Sequence, residues 1–178
     1  MKTLGKFLAL ILRHKPETVG LKLNKNGWID VDQLIRAINS RSQFNIDRKT
    51  LEMLVKSDDK QRYAFSDDNK IRANQGHSKQ VDLQLNPVKP PNTLYHGTVE
   101  KFLNSITKEG LNKGRRQHVH LSKDVSTATN VGQRRGEPVV LEVDSRRMVE
   151  QGFEFFISKN NVYLIDHVPA KFLKIYNF

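Results

Sequence analysis

The segment NPVKPPNT (86–93) places three of the chain's six prolines within eight residues. Proline fixes φ and lacks a backbone N–H donor, so neither a helix nor a central strand runs through such a stretch. We interpret 86–93 as a linker or stiff crossing that divides the 178-residue chain into residues 1–85 and 94–178. We treat each of these two ranges as a separate lobe, because their sequence patterns differ.

The first lobe carries three helical patterns followed by a hairpin pattern. One covers 4–14, and two more follow the capping residues Asp30 and Asp47. Their apolar stripes are Leu4, Phe7, Leu8 and Ile11, then Val31, Leu34, Ile35 and Ile38, then Leu51, Leu54 and Val55. NGW (26–28) marks a turn, and RYAFSDDNKIRAN alternates on both sides of SDDNK as a β-hairpin does. Three helices followed by a hairpin is the order of a winged-helix module, a common nucleic-acid-binding scaffold.

The second lobe reads differently, because short β-type runs dominate it. These runs are TLYHGT, HVHLS, PVVLEVD and NVYLI, with helical segments at 99–110 and 124–133 between them. The pattern predicts a mixed lobe with several strands. The fold class that follows for the whole chain is α+β.

Charge narrows the possible partners. Lys and Arg number 30 against 19 Asp and Glu, a net charge of +11. The excess is shared, since residues 1–85 hold 16 basic and 10 acidic residues and 86–178 hold 14 and 9. A polyanion, most simply nucleic acid, is the indicated partner. A basic soluble protein without such a partner is the alternative.

The sequence does not indicate a membrane protein or a secreted protein. No apolar run approaches the roughly 20 residues that span a bilayer. The N-terminal MKTLGKFLALILRHK resembles a signal peptide, but Lys6 interrupts it and no small-residue cleavage site follows. The absence of cysteine rules out disulfides and thiolate zinc sites and fits a reducing compartment. We therefore expect a cytoplasmic protein.

Histidines mark the second lobe. His96 ends a strand and precedes Gly97, which would let a ligand approach the backbone, and Thr98 adds a hydroxyl. His118 and His120 share one face of a strand in HVHLS, a pattern that also occurs in zinc sites. No third ligand at a telling spacing and no acidic partner accompany them. We therefore expect no metal.

Basic groups next to histidine or strand residues are candidates for phosphate binding. They are Arg13–His14, Arg62, Arg72 and Arg116. Arginines with a histidine suit a phosphate whose charge must be held while a proton moves. Arg13 and His14 also have a simpler explanation, since cations are favoured in the last turn of a helix. The spacing in sequence does not decide between these readings.

The chain resembles the RNA 2′-phosphotransferase family, NAD-dependent enzymes that remove an internal 2′-phosphate from RNA and were first known from tRNA splicing. The resemblance is collinear along nearly the whole chain. It rests on KFLALILRHKPE, GLKLNKNGWIDVDQL, SDDKQRYAFS, IRANQGHS, LYHGT, HVHLS and VYLIDHVPAKFL. It implies an N-terminal winged-helix lobe (1–85) and a C-terminal ADP-ribosyltransferase-like lobe (94–178).

The resemblance also assigns residues. The family's catalytic quartet falls on Arg13, His14, Arg62 and Arg116. Adjacent arginines leave the register open between Arg115 and Arg116, and the spacing to HVHLS favours Arg116. The residues expected around NAD are His96, Gly97, Thr98, His120, Ser122, Arg134 and Val162. Val162 stands where many transferases of this fold carry a catalytic glutamate.

The implied reaction consumes NAD and needs no metal. The RNA 2′-phosphate displaces nicotinamide, which gives an ADP-ribosylated RNA 2′-phosphate. The ribose 2″-hydroxyl then attacks the phosphorus, releasing RNA and ADP-ribose 1″,2″-cyclic phosphate. The partners expected are NAD and a 2′-phosphorylated RNA such as a tRNA splice junction, bound by a monomer. Two rivals remain: a non-catalytic winged-helix nucleic-acid-binding protein, and a transferase that ADP-ribosylates protein or a nucleic-acid end.

Overall fold

The computed structural model describes residues 2–178. The chain divides into two compact units, the first ending at Gln84 and the second running from Leu85 to Phe178. None of the helices formed by residues 2–178 combines the length and apolar character needed to cross a bilayer.

Residues 2–178 form six α-helices and eleven β-strands. The helices are α1 (Lys2–Arg13), α2 (Val31–Arg41), α3 (Arg48–Lys56), α4 (Leu103–Glu109), α5 (Val125–Gln133) and α6 (Ser145–Glu150). The strands are β1 (Ile29–Asp30), β2 (Tyr63–Phe65), β3 (Lys70–Ala73), β4 (Leu94–Val99), β5 (Leu111–Asn112), β6 (Val119–Leu121), β7 (Pro138–Val143), β8 (Phe156–Ile157), β9 (Tyr163–Ile165), β10 (His167–Val168) and β11 (Leu173–Ile175). Short 3-10 helices cover Pro16–Val19, Glu100–Phe102 and Ala170–Phe172.

The first unit contains the three predicted helices and the predicted hairpin. Asp30 accepts a hydrogen bond from the Gln33 amide at 2.9 Å, and Asp47 accepts one from the Thr50 amide at 2.7 Å, so both predicted caps are confirmed. β2 and β3 pair antiparallel across the predicted turn. β1 adds a third strand, in the order β1–β3–β2, which the sequence pattern did not predict.

The core of the first unit is built from the faces that the sequence predicted. Its buried members from the helices include Leu4, Leu8, Ile11, Leu12, Val31, Leu34, Ile38, Leu51 and Leu54. Tyr63, Ile71 and Ala73 close it from the sheet.

The second unit contains three small antiparallel sheets, ordered β11–β7–β4, β6–β9–β8 and β10–β5. The four predicted strands lie at β4, β6, β7 and β9, and the predicted helices lie at α4 and α5. Helix α6 and the strands β5, β8, β10 and β11 were not predicted. Both units together make a mixed α/β chain with several small antiparallel sheets.

The proline-rich segment 86–93 belongs to the second unit and is held by hydrogen bonds there. The Val88 amide donates to the Phe155 carbonyl at 2.8 Å. The Ser145 hydroxyl donates to the Pro91 carbonyl at 2.5 Å, and the Arg146 amide donates to the Asn92 carbonyl at 3.1 Å. The segment therefore enters the fold through backbone contacts, as its proline content requires.

Candidate functional site

Arg13 and His14 stand where α1 ends. Arg13 is the last helical residue, and the His14 amide still donates to the Leu10 carbonyl at 3.0 Å. The macrodipole favours cations at this end of a helix. That effect explains why basic residues are tolerated here, but it does not fix where their side chains point.

The residues that fix those side chains come from the other end of the first unit. The Arg13 Nη2 donates to the Gln75 Oε1 at 3.0 Å. The His14 Nδ1 pairs with the Ser78 Oγ at 2.9 Å, and the Ser78 amide donates to the Arg13 carbonyl at 2.9 Å. Arg13 and His14 are therefore anchored by side chains more than sixty residues away.

Arg62 lies just before β2 and is held by Asp58. The Arg62 guanidinium contacts the Asp58 carboxylate, and the Arg62 amide donates to the same carboxylate at 2.7 Å. Burial raises the pKa of the neighbouring Tyr63, and the charges of Arg13 and Arg62 oppose that rise. The first unit thus brings Arg13 and Arg62 into electrostatic range of one phenol, although 49 positions separate them in sequence.

The Arg72 side chain is engaged in contacts within the first unit. Its guanidinium lies over the Trp28 ring, 4.5 Å from the centroid, and its Nη1 donates to the Asn26 carbonyl at 3.2 Å. These contacts tie β3 to the NGW turn. Arg72 therefore has a structural role at this turn.

His96 lies within β4, and the prediction that it ends a strand is wrong because the strand continues to Val99. The His96 Nδ1 lies 3.0 Å from the His120 carbonyl oxygen. Because a carbonyl only accepts, the hydrogen is on Nδ1 and a neutral ring presents Nε2 as an acceptor. Burial lowers the pKa of His96, the bond to His120 opposes this, and the charge of Arg135 lowers it further. His96 is thus a neutral acceptor at neutral pH.

Arg116 reaches the second histidine. Its Nη1 lies 3.3 Å from the His120 Nδ1. A guanidinium only donates, so the His120 Nδ1 accepts and the hydrogen of its neutral ring is on Nε2. The side chain of Arg116 is exposed. His96 and His120 therefore differ in tautomer, one oriented by a carbonyl and the other by a cation.

Ser122 and Val162 lie at the adjoining strand ends. β6 pairs with β9 so that Leu121 faces Tyr163, and the same register extended by one residue sets Ser122 opposite Val162. Ser122 also exchanges two backbone hydrogen bonds of 2.8 Å with Tyr95, next to His96. The second unit therefore brings His96, Arg116, His120, Ser122 and Val162 into one neighbourhood.

Gly97 has a packing reason for lacking a side chain. A Cβ there would lie 1.7 Å from the Ala128 carbonyl oxygen and 2.8 Å from the Gly132 nitrogen, both in α5. β4 and α5 thus approach backbone to backbone, and Thr98 beside Gly97 is buried. Arg134 is exposed at the end of α5, while its neighbour Arg135 is the cation that acts electrostatically on His96.

The paired histidines of HVHLS have different surroundings. His118 lies outside β6, with its ring 5.9 Å from that of Phe156. Within residues 2–178, no group of three or more His, Asp or Glu side chains is arranged to hold a metal ion.

Comparisons with known proteins agree with one another. Residues 1–167 match the model of the family described as RNA 2′-phosphotransferase, Tpt1 / KptA family. A probable RNA 2′-phosphotransferase of Trichormus variabilis is 53% identical over 175 residues, covering 98% of this chain and 96% of that protein. A protein of Fusobacterium nucleatum subsp. nucleatum with the same description is 52% identical over 173 residues, covering 96% of each chain. Another, of Flavobacterium johnsoniae, is 51% identical over 174 residues, covering 97% of this chain and 95% of that protein.

The chain belongs to the RNA 2′-phosphotransferase family. The family resemblance inferred from the sequence motifs is thereby confirmed. The structure adds residues that sequence reasoning did not single out, namely Asp58, Gln75, Ser78 and Arg135. Asp58 lies in SDDKQRYAFS, and Gln75 and Ser78 lie in IRANQGHS, so three of the four were within motifs already noted. The motifs did not indicate which side chains these residues contact.

Proposed function

We propose that this protein removes an internal 2′-phosphate from RNA by transferring it to NAD, releasing nicotinamide and ADP-ribose 1″,2″-cyclic phosphate. The observation that carries the proposal is the family match over residues 1–167. We assign the first unit to the winged-helix class and the second to the ADP-ribosyltransferase-like class. The net charge of +11 supports an RNA substrate.

Arg13 and Arg62 are proposed to bind the 2′-phosphate, and the resemblance assigns Arg116 to the same catalytic set. A guanidinium offers a planar fork of donors that matches two phosphate oxygens. Gln75 is a neutral partner for Arg13, so it orients the fork without cancelling its charge. Charge that builds on the phosphorus during transfer is stabilised by such fixed donors.

The second unit is proposed to bind NAD around His96, Gly97, Thr98, His120, Ser122, Arg134 and Val162. The tautomers of the two histidines fit a ribose, because the His96 Nε2 accepts from a hydroxyl and the His120 Nε2–H donates to an oxygen. When bound, NAD supplies an electrophilic ribose carbon, a nicotinamide leaving group and the 2″-hydroxyl.

The proposed reaction consists of two displacements, in each of which one bond forms and one breaks. In the first, a 2′-phosphate oxygen attacks the ribose C1″ and the C1″–nicotinamide bond breaks. In the second, the 2″-oxygen attacks the phosphorus and the bond from phosphorus to the RNA 2′-oxygen breaks. His14 takes the proton of the 2″-hydroxyl and delivers a proton to the departing RNA 2′-oxygen. RNA leaves with a 2′-hydroxyl.

Val162 suits this second displacement because it is apolar. A carboxylate at its position would place negative charge near an anionic nucleophile and would engage the hydroxyl that must attack. Val162 is half-buried, and its backbone is fixed by Ser158, whose Oγ accepts from the Val162 amide at 3.1 Å. An apolar residue there favours phosphate transfer over ADP-ribosylation as the final outcome.

Product analysis with NAD and a 2′-phosphorylated oligonucleotide tests the proposal. We expect equal amounts of nicotinamide, 2′-hydroxyl RNA and ADP-ribose 1″,2″-cyclic phosphate. Binding of RNA without release of nicotinamide would identify a non-catalytic nucleic-acid-binding protein. ADP-ribose retained on RNA or protein as the end product would identify a different transferase.

A further inference from the structure

Residues 74–78, here called the 74–78 segment, connect the three basic residues proposed as site residues in the first unit. The Asn74 amide donates to the Arg62 carbonyl at 2.7 Å, and its side-chain Nδ2 donates to the Gln61 carbonyl at 2.7 Å. Gln75 then accepts from Arg13, and Ser78 bonds to both Arg13 and His14. Five consecutive residues thus reach Arg13, His14 and Arg62.

The 74–78 segment is largely buried although most of its side chains are polar. Asn74, Gln75 and His77 are 4%, 8% and 1% exposed. Burial of polar groups outside helices and strands is costly unless they are hydrogen-bonded. The Asn74 Nδ2 and the Gln75 Oε1 are hydrogen-bonded, to the Gln61 carbonyl and to Arg13. The Asn74 Oδ1 and both ring nitrogens of His77 are buried without a hydrogen-bond partner among residues 2–178. The segment is therefore held next to Arg13 and Arg62 by a few specific bonds.

Gly76 lets the backbone of the 74–78 segment lie directly against the guanidinium. Its φ is +88°, a conformation that side chains other than glycine rarely adopt. A Cβ at this position would lie 3.1 Å from the Arg13 Cζ and 3.2 Å from its Nε. The guanidinium is therefore bounded by backbone at Gly76 and by an amide oxygen at Gln75.

We propose that Gln75 and Ser78 are positioning residues for the reaction, Gln75 aiming the Arg13 guanidinium and Ser78 aiming the His14 ring at the 2′-phosphate. This inference rests on the proposed function. Arginine has many rotamers, and an aimed fork loses little further freedom when it binds phosphate. Gln75 is suited to this role because a carboxylate at its place would pair with the charge that Arg13 offers to the phosphate.

The first experiment measures discrimination, the ratio of the dissociation constants of plain and 2′-phosphorylated RNA, without NAD. We expect Gln75→Ala to lower discrimination about tenfold with plain RNA unaffected, whereas Gln80→Ala, an exposed glutamine of the same region, changes nothing. In an Arg13→Ala background, Gln75→Ala should add less than twofold, since it acts through Arg13. Equal losses in both backgrounds, or no loss in wild type, would overturn the inference.

The same measurement separates the two proposals. If Arg13→Ala leaves discrimination unchanged, the phosphate site of the proposed function is wrong. If Arg13→Ala abolishes discrimination while Gln75→Ala preserves it, only the positioning role is wrong.

A glycine pair gives a second readout that does not depend on Gln75 variants folding. Gly76 and Gly152 have nearly equal φ, +88° and +92°, but a Cβ at Gly152 would meet nothing within 4 Å. Alanine at either position carries the same backbone strain, and only Gly76→Ala presses on Arg13. We expect discrimination to fall in Gly76→Ala alone, and an equal fall in Gly152→Ala would overturn the inference.

Ser78 is tested by turnover, because its side chain is exposed and its variants are expected to fold. Ser78→Ala should slow the second displacement about tenfold, and Ser78→Thr, which keeps the hydroxyl, should restore it. Ser126→Ala, at another exposed serine, is the control. Wild-type turnover in Ser78→Ala, or no recovery in Ser78→Thr, would overturn the role of Ser78.

Discussion

The two units hold their site residues in opposite ways. In the first unit, Arg13 and His14 are fixed by side chains 62 and 64 residues away, while their own helix leaves them at its end. In the second unit, a backbone carbonyl orients His96 and a backbone bridge joins Tyr95 to Ser122, and one side-chain contact, from Arg116, reaches His120. The candidate residues of the first unit thus depend mainly on side-chain contacts, and those of the second depend mainly on strand pairing.

This difference has a consequence for what substitutions do. Strand register is maintained by many backbone bonds, so a single side-chain change in the second unit should remove one contact and leave its neighbours in place. In the first unit each anchoring side chain serves a site residue directly. Changes there should propagate to the residues proposed to bind phosphate.

The largest effect is expected for His14→Ala. Loss of a positioned acid–base group slows the step that needs it by roughly 10²–10⁴-fold, and we assign that step to the second displacement. ADP-ribosylated RNA 2′-phosphate should then accumulate in a time course, whereas His167→Ala in the second unit serves as a control. A collapse of turnover without this intermediate would show that His14 acts elsewhere.

Replacing arginine by lysine probes the fork itself. Arg13→Lys, Arg62→Lys and Arg116→Lys should each cost nearly as much as alanine, on the order of 10²–10³-fold in turnover. Affinity for plain RNA at matched ionic strength should barely change, because many other basic residues share the general electrostatic attraction. Near-normal turnover in the lysine variants would mean that these arginines are ordinary surface charge.

His96→Ala examines the second unit. We expect NAD affinity or the first displacement to fall about tenfold, the effect of one lost hydrogen bond, while RNA affinity is retained. Titration calorimetry with NAD and, separately, with RNA checks this. An equal loss of RNA affinity would contradict the assignment of NAD binding to the second unit and phosphate binding to the first.

Protonation of His77 is expected to lower the stability of the fold at acid pH and to have no effect on turnover at neutral pH. Burial lowers the pKa of His77 to about 4, with further lowering from the charges of Arg13, Arg72 and His14. Between pH 6.5 and about pH 4 the unfolded chain therefore binds this proton and the folded protein does not. The free energy of unfolding accordingly decreases as the pH is lowered through this window. The loss should reach about 3 kcal/mol.

Denaturant unfolding of wild type and His77→Gln at pH 7 and pH 4.5 measures that loss. The variant should show a smaller decrease in the free energy of unfolding between the two pH values. His96 and His118, whose pKa values burial also lowers, remain in both proteins and cancel in the comparison. The same decrease in both proteins would mean that His77 is protonated in the folded state.

The parts of the fold that local patterns control were predictable from sequence. Caps at Asp30 and Asp47, the helical stripes and the hairpin depend on residues a few positions apart, and all were confirmed. β1 and β11 were missed, and each is defined by its pairing with a strand distant in sequence, β3 and β7 respectively. Sequence motifs also identified the family, because they occur in the same order along nearly the whole chain.

The site was predictable only as a set of residue types. Nothing in the spacing of Gln75 indicates that it will meet Arg13, and nothing in Asp58 indicates whether it pairs with Arg62 or with solvent. Gly97 illustrates a different limit. The sequence suggested a ligand approaching the backbone, whereas its immediate neighbour in the structure is the Ala128 carbonyl. Contacts between distant segments follow from packing, which local patterns do not encode.

The separation in sequence between Arg13 and Gln75 also affects the order in which parts of the first unit fold. Helix α1 forms from local contacts, but the bonds from Gln75 and Ser78 close a loop of more than sixty residues and so must come after the helices and hairpin between them. During synthesis, a nascent chain that stops before residue 74 already holds most of the apolar core of its first unit, yet lacks Gln75 and Ser78, whose side chains contact Arg13 and His14. We expect the ability to recognise a 2′-phosphate to mature after the fold that carries it, and to be lost first when that fold begins to open.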